Sequence, residues 1–95
     1  MPTLLLRSID PETNRFRFYR IGIEPNLFGQ HSMEIHWGRI GTRGRFRVPA
    51  FGDPDEIRSA ARAIAARKIR RGHAAVEDTL DEEPSPPLFG SGSTG

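Results

Sequence analysis

Cysteine is absent from this chain, and with it go disulfides, thiolate zinc sites and cysteine nucleophiles. That composition suits a reducing compartment, so a soluble, cytoplasmic protein is expected. Long apolar runs are missing too: Leu4-Leu5-Leu6 is interrupted at once by Arg7, with Asp10 close behind. Such a stretch reads as neither a signal peptide nor a membrane span. The three histidines, His31, His36 and His73, stand at spacings that match no metal-ligand pattern. No Ser–His–acid order, no paired carboxylates in a pocket-forming context and no glycine-rich phosphate loop before a helix can be picked out. The reading is of a non-enzyme, with no catalytic residue, metal, cofactor or small-molecule substrate.

Lysine is nearly absent as well. Of fourteen basic residues, thirteen are arginine and Lys68 is the one lysine. Arginine presents a planar, permanently charged fork that suits bidentate phosphate contact better than an ammonium does. All fourteen lie within residues 1–71, whereas Glu77, Asp78, Asp81, Glu82 and Glu83 cluster beyond them. The first 76 residues hold seven acids and so carry +7, against −5 for the remainder. A basic body of this kind attracts a polyanion. From Pro84 the chain reads PSPPLFGSGSTG, a mixture that buries too little surface to offset its ordering entropy. The expected organisation is one domain over residues 1–76, followed by an acidic and then Pro/Gly/Ser-rich disordered tail over 77–95.

Within the domain, Thr3 to Ile9 reads as a strand and Asp10-Pro11-Glu12-Thr13-Asn14 as a turn. Arg15 to Ile23 is a second strand, so the pair forms a hairpin. Its alternation changes phase, since Phe16 and Phe18 share one face while Tyr19, Ile21 and Ile23 share the other. The strand is therefore buried on both sides or bulged near Phe18. A loop over 24–30 leads to a third strand, His31 to Ile40, and the turn Gly41-Thr42-Arg43-Gly44 leads to a fourth, Arg45 to Phe51. A helix follows, with Asp53 as N-cap, Pro54 at the first helical position and Glu56 where a capping-box acid belongs. Ile57, Ala61, Ile64 and Ala65 give it an apolar stripe, and Lys68 lies near that stripe, its stem expected to snorkel along the core. Arg67, Lys68, Arg70 and Arg71 crowd its last turn, and Gly72 ends it. A short segment from His73 to Val76 returns to the sheet edge. The fold class is α+β: a small twisted antiparallel sheet of four to five strands with one helix packed across a face.

Residues 36–44, HWGRIGTRG, are the most informative segment. Trp37 offers a large flat face, Gly38 removes a side chain where something approaches the backbone closely, and Arg39 supplies a charged fork. These residues, together with NRFRFYRIGI before them and the amphipathic helix ending in Arg71-Gly72 after them, resemble the WGR domain. This small module is named for the Trp-Gly-Arg trio and is found in poly(ADP-ribose) polymerases and in bacterial proteins without the polymerase. The resemblance covers roughly residues 3–75, with one departure: His73 stands where an aromatic, often tyrosine, is expected. It implies a non-catalytic nucleic-acid-binding module whose tryptophan packs against the end of a DNA strand and whose arginine contacts the backbone. Carried over, Trp37 caps or stacks on a terminal nucleotide and Arg39 holds a phosphate.

Arg43, Arg45 and Arg47 recur with period two, so an extended chain places them in a row beside Arg39. Like charges so aligned repel each other unless an anion bridges them or water solvates the face. Gly41 and Gly44 serve the turn, and with Thr42 and Arg43 they also suit an anion-binding backbone nest. The candidate nucleic-acid-binding residues are therefore Trp37, Gly38, Arg39, Arg43, Arg45 and Arg47. Nucleic acid, DNA foremost, is the expected partner, with ends, nicks or single strands as targets. The alternative is a protein-interaction module acting with a separately encoded partner.

Overall fold

The computed structural model describes residues 2–81. Five strands, β1 (Thr3–Asp10), β2 (Arg15–Pro25), β3 (His31–Arg39), β4 (Arg45–Gly52) and β5 (Ala74–Asp78), form one sheet in the order β4-β3-β2-β1-β5. Every neighbouring pair is antiparallel. A single helix, α1 (Pro54–Arg70), lies across one face. This is the α+β architecture expected from the sequence pattern, with five strands.

Local chemistry explains the element boundaries. Between β1 and β2 a 3-10 turn spans Pro11–Thr13. Asp10 Oδ1 accepts the Glu12 amide at 3.2 Å, and Asn14, at φ 56°, closes the turn by donating its amide to the Pro11 carbonyl. Asparagine tolerates this left-handed conformation better than most residues. Asp53 caps α1 by accepting the Asp55 amide at 3.2 Å, with Pro54 at the first helical position. The helix stops in a Schellman arrangement. Gly72, at φ 108°, donates to the Ile69 carbonyl at 3.1 Å, while the His73 amide donates to the Lys68 carbonyl at 3.0 Å.

The phase change in β2 is resolved without a bulge. Phe18 pairs with Arg7 on one side and Gly38 on the other, and both ladders run through it unbroken. Tyr19, Ile21 and Ile23 thus face the helix, and Phe16 and Phe18 are half-buried on the opposite face. The irregularities lie elsewhere, between Leu5 and Leu6 against β5 and between Met33 and Ile35 against β4. The core sits between sheet and helix. Leu4, Leu6, Ile21, Ile23, Met33 and Ile35 meet Ile57, Ala61 and Ala65, and the two alanines let the helix lie close to the strands.

The chain beyond Val76 extends this core. β5 continues through Asp78, so the domain boundary expected after Val76 falls inside a strand. Thr79 donates its amide to the Thr3 carbonyl at 2.7 Å and accepts the Thr3 amide at its hydroxyl at 2.9 Å. Leu80 is 0 % exposed, and its carbonyl accepts from Arg58 Nε at 3.1 Å. Arg62 pairs with Asp78 at 2.7 Å and with Asp81 at 2.8 Å. This hydrogen-bonded pairing holds the Asp78 carboxyl below its ordinary range. At least these acids are spent on the helix rather than left as a free tail. Glu82, Glu83 and the Pro/Gly/Ser segment lie outside the described residues.

Between β3 and β4 the turn folds back on the strand. Thr42 donates through its amide and hydroxyl to the Arg39 carbonyl, at 3.1 and 2.7 Å. His36 donates from Nε2 to the Arg43 carbonyl. The closest approach is between two glycines: a Cβ on Gly38 would come within 2.6 Å of the Gly44 Cα. A Cβ on Gly44 would collide with the Trp37 carbonyl oxygen and lie 2.8 Å from the Phe18 ring. Gly44 also has φ 69°, a conformation that disfavours any L side chain.

Three stability outcomes are each measured by urea unfolding monitored at the single tryptophan. Leu80→Ala should lower stability by about 2–4 kcal/mol, as for other buried leucines cut to alanine, and a chain ending at Val76 should lose cooperative unfolding. Gly38→Ala should cost about 1–3 kcal/mol through backbone overpacking, without changing the net charge or any ion pair.

Candidate nucleic-acid interface

The helix covers only part of its face of the sheet. At its last turn, cross-strand pairing sets out a patch on that face, with Arg17 opposite Arg39 and Trp37 opposite Arg45, bordered by the buried Tyr19 opposite Trp37 and the buried Ile35 opposite Arg47. Directly paired residues in an antiparallel sheet share a face, so the trio's tryptophan and arginine look to the same side as Tyr19 and the β4 arginines. The C-terminal turn of α1 adds Arg67, Lys68 and Arg71, and the Schellman cap fixes His73 beside them.

These elements enclose an open cleft of about 430 Å³, lined by Arg17, Phe18, Tyr19, Trp37, Gly38, Arg39, Lys68 and His73. Adjoining hollows are lined by Arg47, Arg67 and Arg71 on one side and by Ser8, Arg15 and Arg17 on the other. No carboxylate lines any of the three. Glu24, at the far end of the β2–β3 hairpin, and Asp53, Asp55 and Glu56, at the start of α1, belong to the opposite end of the sheet. Asp10 and Glu12 lie in the β1–β2 turn beside Asn14, so the positive, carboxylate-free region is the cleft around Trp37 and not the whole end of the sheet.

The cations rest on aromatic rings. Lys68 Nζ lies 4.5 Å from the Tyr19 ring centre, the Arg47 guanidinium 5.8 Å from that of Trp37, and the Arg39 guanidinium 5.4 Å from that of Phe16. Such contacts hold a cation in place while leaving its outer side open. Burial raises the Tyr19 phenol above its ordinary value, against the opposing pull of Arg47 and Arg67. At neutral pH the phenol is therefore protonated and able to donate a hydrogen bond. His73 moves the other way: burial, then the Lys68 charge, lowers its pKa below the usual value. Arg15 and Arg17 add to that, while the Lys68 carbonyl opposes it.

Each residue singled out in the sequence now has a position. Trp37 packs against the hydrophobic core and lines the cleft as well, so a core role and a surface role coincide in one side chain. Gly38 lines the cleft, but what its missing side chain admits is the backbone of Gly44. Arg39 donates from Nη1 to the Asn14 carbonyl at 3.2 Å and from Nη2 to Asn14 Oδ1 at 3.1 Å, tying it to the β1–β2 turn. Arg45 and Arg47 pair beside the patch as their spacing suggested. Arg43 does not continue that row. It precedes β4, the left-handed Gly44 breaks the extended chain between them, and its carbonyl is held by His36.

The helix-borne half of the cleft was hidden from strand periodicity. Lys68 was legible only as a continuation of the stripe of Ile57, Ala61, Ile64 and Ala65, and it ends that stripe over Tyr19 rather than simply reaching into water. The opposite face of the sheet has a different character. His36 makes edge contacts with Phe18 and Phe46, at 5.0 and 6.4 Å between ring centres, and Phe46 and Phe51 are 58 % and 68 % exposed. Among the described residues no group of three or more His, Asp or Glu is placed to hold a metal. No helix there is long and apolar enough to cross a membrane.

Comparison with known proteins agrees with this geometry. Residues 3–79 match the family model for the WGR domain, a non-catalytic module. The chain is 37 % identical over 70 residues to a Sinorhizobium fredii protein named uncharacterized protein y4dW, covering 74 % of this chain and 34 % of that one. It is 30 % identical over 63 residues to Protein YehF of Escherichia coli, covering 64 % of this chain and 22 % of that one. The chain thus spans about a third or less of the length of these relatives. No solved structure matches it. With its trio on the third strand of a five-stranded sheet and a family match that runs from β1 to the end of β5, the chain belongs to the WGR domain family.

Proposed function

We propose that this domain binds nucleic acid, with DNA ends, nicks or single strands as its preferred targets, through the cleft around Trp37. The observation that carries this reading is an aromatic platform set in a basic, carboxylate-free cleft at one end of the sheet. Trp37 supplies a flat face, and Arg17, Arg39, Arg45, Arg47 and Lys68 supply phosphate partners. Stacking on such a face contributes about 1–3 kcal/mol per base and does not depend on base identity. Nothing in the cleft offers a helix or ribbon shaped to read base edges in a major groove, so the recognition is of backbone and exposed ends. A cytoplasmic location belongs to the same reading.

A second reading has its own observation. The exposed Phe46 and Phe51 on the open sheet face, and relatives much longer than this chain, suit a module that also docks a protein partner. Salt separates the two. Counterion release makes phosphate binding weaken steeply as salt rises, whereas an apolar protein contact is much less sensitive.

Because Trp37 is the only tryptophan, its fluorescence reports on the cleft directly. A short 5′-phosphorylated duplex should quench it more strongly than the same sequence as a closed circle, with single strand also binding. Arg39→Ala should weaken binding by about 1–3 kcal/mol, as for a charge-assisted hydrogen bond, and leave the fold intact. Unchanged emission at saturating DNA, or normal binding by Arg39→Ala, would overturn the assignment. Replacing Arg45 and Arg47 together with glutamine should reduce the log–log salt slope by roughly 0.9 for each lost duplex phosphate contact. Arg43→Gln, outside the strand row, should leave the slope nearly unchanged. A double variant with the wild-type slope would place the DNA elsewhere.

A further inference from the structure

His73 is placed unlike an ordinary surface histidine. Its backbone is fixed on both sides: its amide donates to the Lys68 carbonyl at 3.0 Å, and β5 begins at the next residue. The ring is half-buried and lines the cleft together with Arg17, Trp37, Arg39 and Lys68. It also borders the neighbouring hollow that holds Arg15, Arg71 and Ser8. Its Nδ1 is buried without a hydrogen-bond partner among the described residues. The charged groups facing it are Lys68 and Arg71 from α1, Arg15 and Arg17 from β2, and Arg39 from β3, while β1 contributes only the neutral Ser8. No carboxylate lines either hollow.

We propose that His73 is a phosphate-binding residue of this cleft that acts as the imidazolium, taking up a proton when a phosphate group enters. The proposal rests on the reading of the cleft as a phosphate site and adds to it a specific ligand and a pH dependence. Burial disfavours a charge on this imidazole, and Lys68, Arg15 and Arg17 act in the same direction. A phosphodiester placed among them removes that opposition and supplies an acceptor for an imidazolium N–H. The neutral ring in the free protein and the charged ring in the complex are then linked. Whatever raises proton affinity on binding must raise binding affinity as protons become available. The other cations of the cleft are arginines and one lysine, and His73 is the one imidazole among its lining residues.

The sign is fixed by the linkage. DNA affinity is lowest above the ordinary histidine range and rises as pH falls through it. A pKa increase of about one unit on binding corresponds to a gain of up to roughly tenfold in affinity below both values. The test uses a blunt duplex with 5′-hydroxyl ends, so that no terminal phosphate titrates in the same window. His73 ring resonances, identified by their loss in His73→Gln, are followed from pH 5.5 to 8 with and without the duplex. The expected result is a titration displaced to higher pH by the duplex, together with several-fold tighter binding by the wild type at pH 5.5 than at pH 8. His73→Gln, which keeps a hydrogen-bonding side chain without the titration, should bind as the wild type does at pH 8 and show a much flatter profile. An unmoved His73 titration in a complex whose formation Trp37 reports would overturn the proposal and leave the interface standing. Equal pH profiles for the two proteins would do the same. Absence of any binding by Trp37 emission and by mobility would overturn the interface itself, and the proposal with it. The resonance measurement on the wild type decides the matter even if the variant is poorly folded.

Discussion

The backbone contact between Gly38 and Gly44 is the constraint on which the interface depends. Because neither residue carries a Cβ, the β3–β4 turn lies flat against the strand it leaves, above the Phe18 ring. That contact sets where β4 begins, and hence places Arg45 opposite Trp37. It also keeps the Arg39 carbonyl within reach of Thr42, which steadies the strand end from which the Arg39 side chain reaches Asn14. The middle letter of the Trp-Gly-Arg trio thus acts through packing inside the chain. Its neighbours on either side line the cleft, and it determines their relative geometry.

From that point the electrostatics follow. Strand pairing gathers arginines at one end of the sheet, and the helix runs so that its basic last turn arrives at the same end. Bringing so many cations together without acids is unfavourable unless each has another favourable contact. Aromatic faces supply it: Tyr19 carries Lys68, Trp37 carries Arg47 and Phe16 carries Arg39. Asn14 adds two hydrogen bonds to Arg39. These contacts are individually small at exposed sites, about 0.5–1 kcal/mol each. They orient side chains that would otherwise splay into solvent.

Much of this was legible in the chain. The capping pattern Asp53-Pro54 located the helix start, Gly72 its end, and period-two alternation located four strands, because each of those signals is local. The trio and its flanking strand led to residues that line the cleft. What escaped was non-local. Nothing in the tail's acidic composition shows that Leu80 fills the core or that Asp78 and Asp81 meet Arg62, since those partners lie sixteen residues or more away. The row of Arg43, Arg45 and Arg47 was over-extended because a positive φ at Gly44 interrupts a pleat that spacing alone treats as continuous. Lys68 and His73 were missed as cleft residues for a related reason: they come from a helix end, and only the sheet's register brings them over Tyr19 and Arg17.

The pairing of Thr3 with Thr79 has an architectural consequence. Thr3 at the start of β1 and Thr79 just after β5 are joined by reciprocal hydrogen bonds, and both lie at the end of the sheet remote from Trp37, where Thr3 sits opposite Gly22. A unit whose two ends already touch can be spliced into a host polypeptide with little loop-closure cost. A host joined near Thr3 and Thr79 would attach at the pole opposite Trp37. Geometrically, this is a plug-in part: the same fold can hang from many different proteins without altering the surface it presents.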